Sequence, residues 1–282
     1  MRVGLSWSLD WARWAALLLA ALVCACTTVS GIRAPELTAK TPGERATAFD
    51  RVADLAGREG DGATAERLYR RAMADRPDWV EPRVGLGHLL LRRGDVDGAR
   101  AQFDKALQLA PDSAGPVTGL AQVALAAHQP AAALDGFARA LRLSPGDAAA
   151  LNGSGVAFDQ LGRHADAQAC YREVLGRNPD NVAAQNNLGL SLALDGHAAE
   201  AVPVLSALAQ EPSATPRTRQ NLALALALLG RDKDAVAAAS VDEDPAAARA
   251  DVALLGAFRR GIASSAASVQ GSPAAPPQAP AS

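Results

Sequence analysis

Aromatic residues are scarce in this chain, 4% of 282 residues, although about half of the residues are apolar. Alanine and leucine carry most of that apolar content, and both are strong helix formers. Charge is scarce in the sense that matters for nucleic acids. The formal net charge is −2 with no long run of either sign, so there is no basic stripe for a phosphate backbone. Arg70-Arg71 and Arg259-Arg260 read as solvated helix faces. Apolar runs are short as well: Trp14–Val23 is the apolar stretch near the start, about half of the roughly 20 residues that a bilayer core needs. The chain has no Gly-rich phosphate loop, no HExxH and no metal-spaced Cys/His cluster. Asn152-Gly153-Ser154-Gly155 lacks the first glycine of a nucleophile elbow. The histidines, His88, His128, His164 and His197, are scattered and read as solvated or capping groups. The expectation is a non-enzyme with no metal and no cofactor apart from any covalent lipid.

What the amino terminus does contain is a processing pattern. Arg2 and Arg13 precede the short apolar run, and small residues stand at its end. That order reads as an export signal. Val23-Cys24-Ala25-Cys26 is similar to the lipobox of bacterial lipoproteins. The resemblance implies a signal peptide over 1–25, cleavage before Cys26, a diacylglycerol thioether on Cys26 and an acylated new amino terminus. Several acyl chains together make an anchor stable where one is marginal. Thr27 in place of Asp after that cysteine implies sorting to the outer membrane, facing the periplasm. The other reading is an ordinary cleaved signal without lipid. Cleavage would leave Cys170 as the one free thiol, so no internal disulfide could form even in an oxidising compartment.

Beyond the signal the chain repeats itself. Ala65, Ala99, Ala133, Ala167, Ala201 and Ala235 recur at one constant interval. Pro77, Pro111, Pro145 and Pro179 keep the same interval, and so do Tyr69, Phe103, Phe137 and Tyr171, with Leu205 in the next slot. A glycine recurs at Gly60, Gly94, Gly162, Gly196 and Gly230, interrupted at His128. Small residues mark a further register at Ala53, Gly87, Ala121, Gly155, Gly189 and Ala223. A period of about 34 residues with this pattern resembles the tetratricopeptide repeat.

That family implies an all-α fold, a right-handed α-solenoid of about six helix-turn-helix units. The units fall near 46–79, 80–113, 114–147, 148–181, 182–215 and 216–241. A capping helix follows over 245–260, after Pro245. Residues 26–45 read as a lipidated start and flexible tether, of which about 18 residues reach about 25 Å. Residues 261–282 read as a disordered Ala/Pro/Ser tail. Each register has a physical task. Small residues let helices cross closely, the aromatic fills the space between units, and proline ends the second helix. "LALALALL" from Leu222 alternates like a strand, but the repeat phase assigns it to a first helix.

A concave groove lined by first helices is the candidate site. One slot holds Val84, Thr118, Asn152, Asn186 and Gln220; the next holds Gly85, Gly119, Gly153, Asn187 and Asn221. The expectation is a groove floor of Gly85, Gly119 and Gly153. An amide-lined half would hold an extended segment or helix through Asn152, Asn186, Asn187, Gln220 and Asn221, with Arg217 nearby. Amides both donate to and accept from a peptide backbone. The alternative is that the glycines serve helix packing and the amides are solvated. Lipidated tetratricopeptide scaffolds include Tad/Flp pilus assembly lipoproteins, type IV pilus pilotins and adaptors that recruit peptidoglycan hydrolases. The single lipobox and the ending "RQNLALALALLGRDKDA" are most similar to the Tad/Flp lipoproteins of the TadD type. That resemblance implies a secretin or another pilus component as protein partner. Cys26→Ala is expected to release the protein from the outer-membrane fraction into the soluble periplasm. Retention of the variant with the membrane on fractionation would contradict the anchor.

Overall fold

The computed structural model describes residues 41–270. The signal, Cys26 and the residues beyond 270 lie outside them. Every regular element among the described residues is an α-helix. In chain order these are α1 (Pro42–Arg58), α2 (Gly62–Asp75), α3 (Glu81–Arg92), α4 (Val96–Leu109), α5 (Ala114–Ala126), α6 (Pro130–Leu143), α7 (Ala148–Gln160), α8 (His164–Arg177), α9 (Val182–Leu194), α10 (Ala198–Gln210), α11 (Pro216–Leu228), α12 (Asp232–Ala239) and α13 (Pro245–Gln270). None of them is long and apolar enough to cross a membrane.

The local sequence explains where the helices begin and end. Asp61, Asp95 and Asn181 cap helix starts by accepting from the backbone N–H groups of Thr64, Gly98 and Ala184, which satisfies otherwise orphaned donors. Each of the four repeat prolines disfavours a helical conformation in the residue before it. Arg76, Ala110, Ser144 and Asn178 accordingly all close their helices at φ near −140° and ψ of 83–88°. The turn within each unit needs a positive φ, which glycine adopts without strain. His128 takes that conformation too, at φ 56°, so it substitutes for the glycine it replaces.

The described residues form two compact units, which divide between Pro82 and Arg83. In the first, α1 packs against α2 around Ala53, Ala56, Ala65 and Tyr69, all buried. In the second, successive helix pairs stack as a solenoid, each second helix lying against the first helix of the next pair. The alanine register from Ala65 to Ala235 is buried without exception. So are Phe103, Phe137, Tyr171 and Leu205. "LALALALL" is helical in α11 as far as Leu228, with Leu222, Ala223, Ala225, Leu226 and Ala227 all buried. A strand would turn its alternate residues to the other face; burial of consecutive residues instead suits a helix enclosed by neighbours on several sides. Pro203 sits inside α10 without ending it.

Three boundaries differ from expectation. The helical chain starts at Pro42, inside the segment read as a tether. Thr41 and Glu44 form a reciprocal capping box, a signal carried by the sequence itself. α12 ends at Ala239, short of the expected 241. α13 runs past 260 to Gln270, because no proline stands between Pro245 and Pro273 and the intervening Ala-rich stretch favours helix.

The ring register is held by glycines. A Cβ at Gly87 would lie 2.6 Å from the Phe103 ring, and one at Gly119 would lie 2.3 Å from the same ring. Phe103 is thus wedged between its own first helix and the next. Gly176 is different: it is helical, exposed and has nothing near its missing Cβ. Gly119→Ala is expected to destabilise the protein by about 1–3 kcal/mol through overpacking. Gly176→Ala should stabilise it by about 0.5–1 kcal/mol. Thermal unfolding of the two variants tests this, since the melting temperatures should move in opposite directions.

Candidate protein-binding groove

Within the second unit, α5, α7, α9 and α11 present equivalent slots side by side. The amides in these slots first meet each other. Asn187 Nδ2 donates to Asn152 Oδ1 at 3.1 Å, and Asn221 Nδ2 donates to Asn186 Oδ1 at 3.2 Å. Each bond ties one first helix to the next. Asn186 and Asn221 are buried, so they hold the groove together rather than face a ligand. Removing either would leave a buried amide unpaired, at a cost of about 1–3 kcal/mol. Asn152 and Asn187 are half-buried and keep unused donors and acceptors. Gln220 is exposed, and its Nε2 donates to Glu243 Oε1 at 2.9 Å. Arg217 is exposed. Beside them Arg219 makes a two-pronged contact with Asp242, at 2.5 and 2.7 Å. That pairing pushes the Asp242 carboxyl below its ordinary range.

The glycine floor is corrected. Gly119 and Gly153 are buried, and a Cβ at Gly153 would lie 2.3 Å from the Phe137 ring. These glycines admit the preceding ring and do not face an open groove. Gly85 is half-buried. In sequence, glycine follows Tyr69, Phe103 and Phe137 in this slot, and asparagine follows Tyr171 and Leu205.

A further slot, outside the polar series that the sequence pattern singles out, supplies the open apolar surface. Val156, Leu190 and Leu224 stand one repeat period apart and are half-buried, and Leu194 is 47% exposed. The repeat spacing alone was sufficient to find them.

The other polar residues serve the scaffold. Asp159 accepts from Tyr171 Oη at 2.9 Å and from Ser191 Oγ at 2.7 Å. His164 Nδ1 lies 2.8 Å from the same carboxylate. Burial and the Asp159 charge together push the Tyr171 phenol upward. All three groups converge on one carboxylate, so the node joins α7, α8 and α9. Ser154 is buried and donates to the Ala150 carbonyl. Cys170 is half-buried, and burial raises its thiol, which disfavours the reactive thiolate.

Two tetratricopeptide-repeat models match the sequence, one over residues 58–122 and 90–149, the other over 157–216. The chain belongs to the tetratricopeptide-repeat family. No curated protein matches it significantly. Among solved structures it is similar to a chain of the APC/C hetero-tetramer Cut9–Hcn1, with 14% identity and a TM-score of 0.63. That match covers 74% of this chain and 43% of the other, so this chain spans less than half the length of that relative. A thermophilic tetratricopeptide protein of Thermus thermophilus matches with 22% identity and a TM-score of 0.58, over 64% of this chain and 98% of that one. The pilF protein of Pseudomonas aeruginosa matches with 15% identity and a TM-score of 0.54, over 71% of this chain and 90% of that one. These likenesses concern the fold. Tetratricopeptide units serve protein–protein interaction, and the protein is a binding scaffold of that kind.

In the first tetratricopeptide unit the corresponding slots are acidic. Asp50 occupies the slot of Asn152, and Asp54 that of Val156. Tyr69 Oη donates to Asp54 Oδ1 at 2.5 Å. Burial, then Asp54 and Glu81, push the Asp50 carboxyl up to about 6. A raised acid is fully favourable below its unfolded value near 3.8 and loses that contribution as pH rises through about 6. Asp50→Asn should therefore stabilise the protein at pH 7.5, by about 1 kcal/mol after discounting for half-exposure. The gain should vanish near pH 4. Melting temperatures across pH 4–8 check this, and a gain of equal size at both ends would refute the assignment.

Proposed function

We propose that this protein is an outer-membrane lipoprotein, anchored through Cys26 in the periplasm. Its tetratricopeptide array would hold a protein component of the Tad/Flp pilus machinery, with the secretin as the expected partner. The observation that carries the reading is the row of equivalent first-helix slots on α7, α9 and α11. There half-buried Asn152 and Asn187 lie beside the apolar series Val156, Leu190 and Leu224, and exposed Arg217 and Gln220 follow at one end. Such a strip offers apolar area along its length with a few polar groups to fix orientation, the usual composition of a specific binding site. The lipobox supports placing that strip at a membrane surface, and the similarity of the carboxy-terminal sequence to Tad/Flp lipoproteins supports the pilus.

A photo-crosslinking residue at Leu194 or Gln220, introduced into the membrane-anchored protein in its own cells, tests the partner. A covalent adduct with the secretin or another pilus component is the expected product. An adduct with a peptidoglycan hydrolase would replace this reading with the adaptor role. An adduct with the secretin of a type IV pilus would identify a pilotin.

A further inference from the structure

The last helix among the described residues stands in the place of a first helix, and no second helix is described after it. α13 continues the repeat register as the first helix of a seventh unit. Val252 falls one period after Thr218 and two periods after Ala184, and all three are buried. The contacts repeat as well. Ser191 reaches Asp159 and the His164 carbonyl. Arg259, two periods after Ser191, reaches the Ala227 carbonyl and Asp232, which stand two periods after Asp159 and His164.

No second helix follows among the described residues. The slot of the turn glycine Gly230 is taken by Ser264, and α13 runs straight through it to Gln270. In complete units the small-residue slot of the first helix packs on its own second helix, as Gly155 does on Tyr171 and Gly189 on Leu205. The equivalent residue of α13, Ala257, is exposed, and so is Ala253 one turn earlier. Beside them lies an open hollow of about 400 Å³, lined by Asp232, Lys233 and Val236 of α12 and by Arg249, Val252 and Ala253 of α13. Its walls are mainly apolar and its rim is basic. Arg259 already engages Asp232, whereas Lys233 and Arg249 have no ion-pair partner among the described residues.

We propose that this hollow is the seat for an acidic amphipathic helix donated in trans by a partner protein, completing the seventh repeat. The donated helix would place a bulky apolar side chain over Ala257, as Tyr171 lies over Gly155, and carboxylates against Lys233 and Arg249. A second copy of α13 fits less well, because it would bring Arg249, Arg259 and Arg260 and only one carboxylate, Asp251, to a basic rim. The seat lies at the end of the array, so its failure would leave the groove reading untouched.

The test uses the full chain and a helix-stapled, fluorescein-labelled peptide. The peptide has the Val96–Leu109 sequence with Arg100→Glu and Lys105→Glu, which keeps the small and aromatic positions of a second helix and makes it acidic. Saturable one-to-one binding by fluorescence anisotropy is expected. Ala257→Trp, at an exposed position, should weaken it at least tenfold by filling the seat. The Lys233→Glu/Arg249→Glu pair should weaken it similarly, with unchanged helical circular dichroism in both proteins. Absence of saturable binding, or binding that Ala257→Trp leaves unchanged, would overturn the proposal. Self-association of the chain that Ala257→Trp abolishes would put a second copy in the seat and overturn the partner assignment.

Discussion

The second unit depends on one steric arrangement: a bulky second-helix side chain held against first helices that carry glycine where they meet it. Phe103 lies between Gly87 and Gly119. Tyr171 meets Gly155, and Leu205 meets Gly189. Interiors are packed as densely as organic crystals, so the wedge fixes how closely each first helix approaches the next. Everything on the first-helix face inherits that spacing, including which amides come within bonding distance of each other. A repeat scaffold behaves as a chain of nearest-neighbour interfaces, and here each interface has the same register position at its centre.

In the asparagine pairs, Asn187 and Asn221 occupy the slot that glycine fills at Gly119 and Gly153. Where the ring is phenylalanine, the following first helix presents glycine, and that slot offers no polar side chain. Where the second helix offers Tyr171 or Leu205, asparagine follows and bridges to the previous first helix. The binding surface that remains is the apolar series Val156, Leu190 and Leu224, flanked by partly used amides. Polar residues that look like ligand contacts in the sequence can thus belong to the scaffold, and their exposure decides which they are. Asn186 and Asn221 fall on the scaffold side; Gln220 and Arg217 fall on the open side.

The two ends of the described chain depart from the repeat in opposite ways. At the start, Thr41 and Glu44 close a capping box that satisfies the first backbone donors of α1 from within its own sequence. At the end, α13 keeps the packing of a first helix with no second helix beside it among the described residues, and Ala253 and Ala257 are exposed. Terminal repeats usually carry a polar outer face; this one carries alanine beside a basic rim.

The helix-turn-helix plan, its repeat phase and the residues of the core were legible in the sequence. They are set by local rules: glycine or His128 at the turn, proline after the second helix, and alanine at the crossings. The capping box before α1 was legible too, by the same kind of rule. The direction in which Gly119, Gly153, Asn186 and Asn221 face was not, because a slot on a first helix borders both a neighbouring helix and the groove. Which of the two it meets depends on the side chain arriving from the preceding unit. The open seventh repeat was hidden for the same reason. Its register is written in Val252 and Arg259, but the hollow beside Ala257 exists only where two helices pack and a third does not.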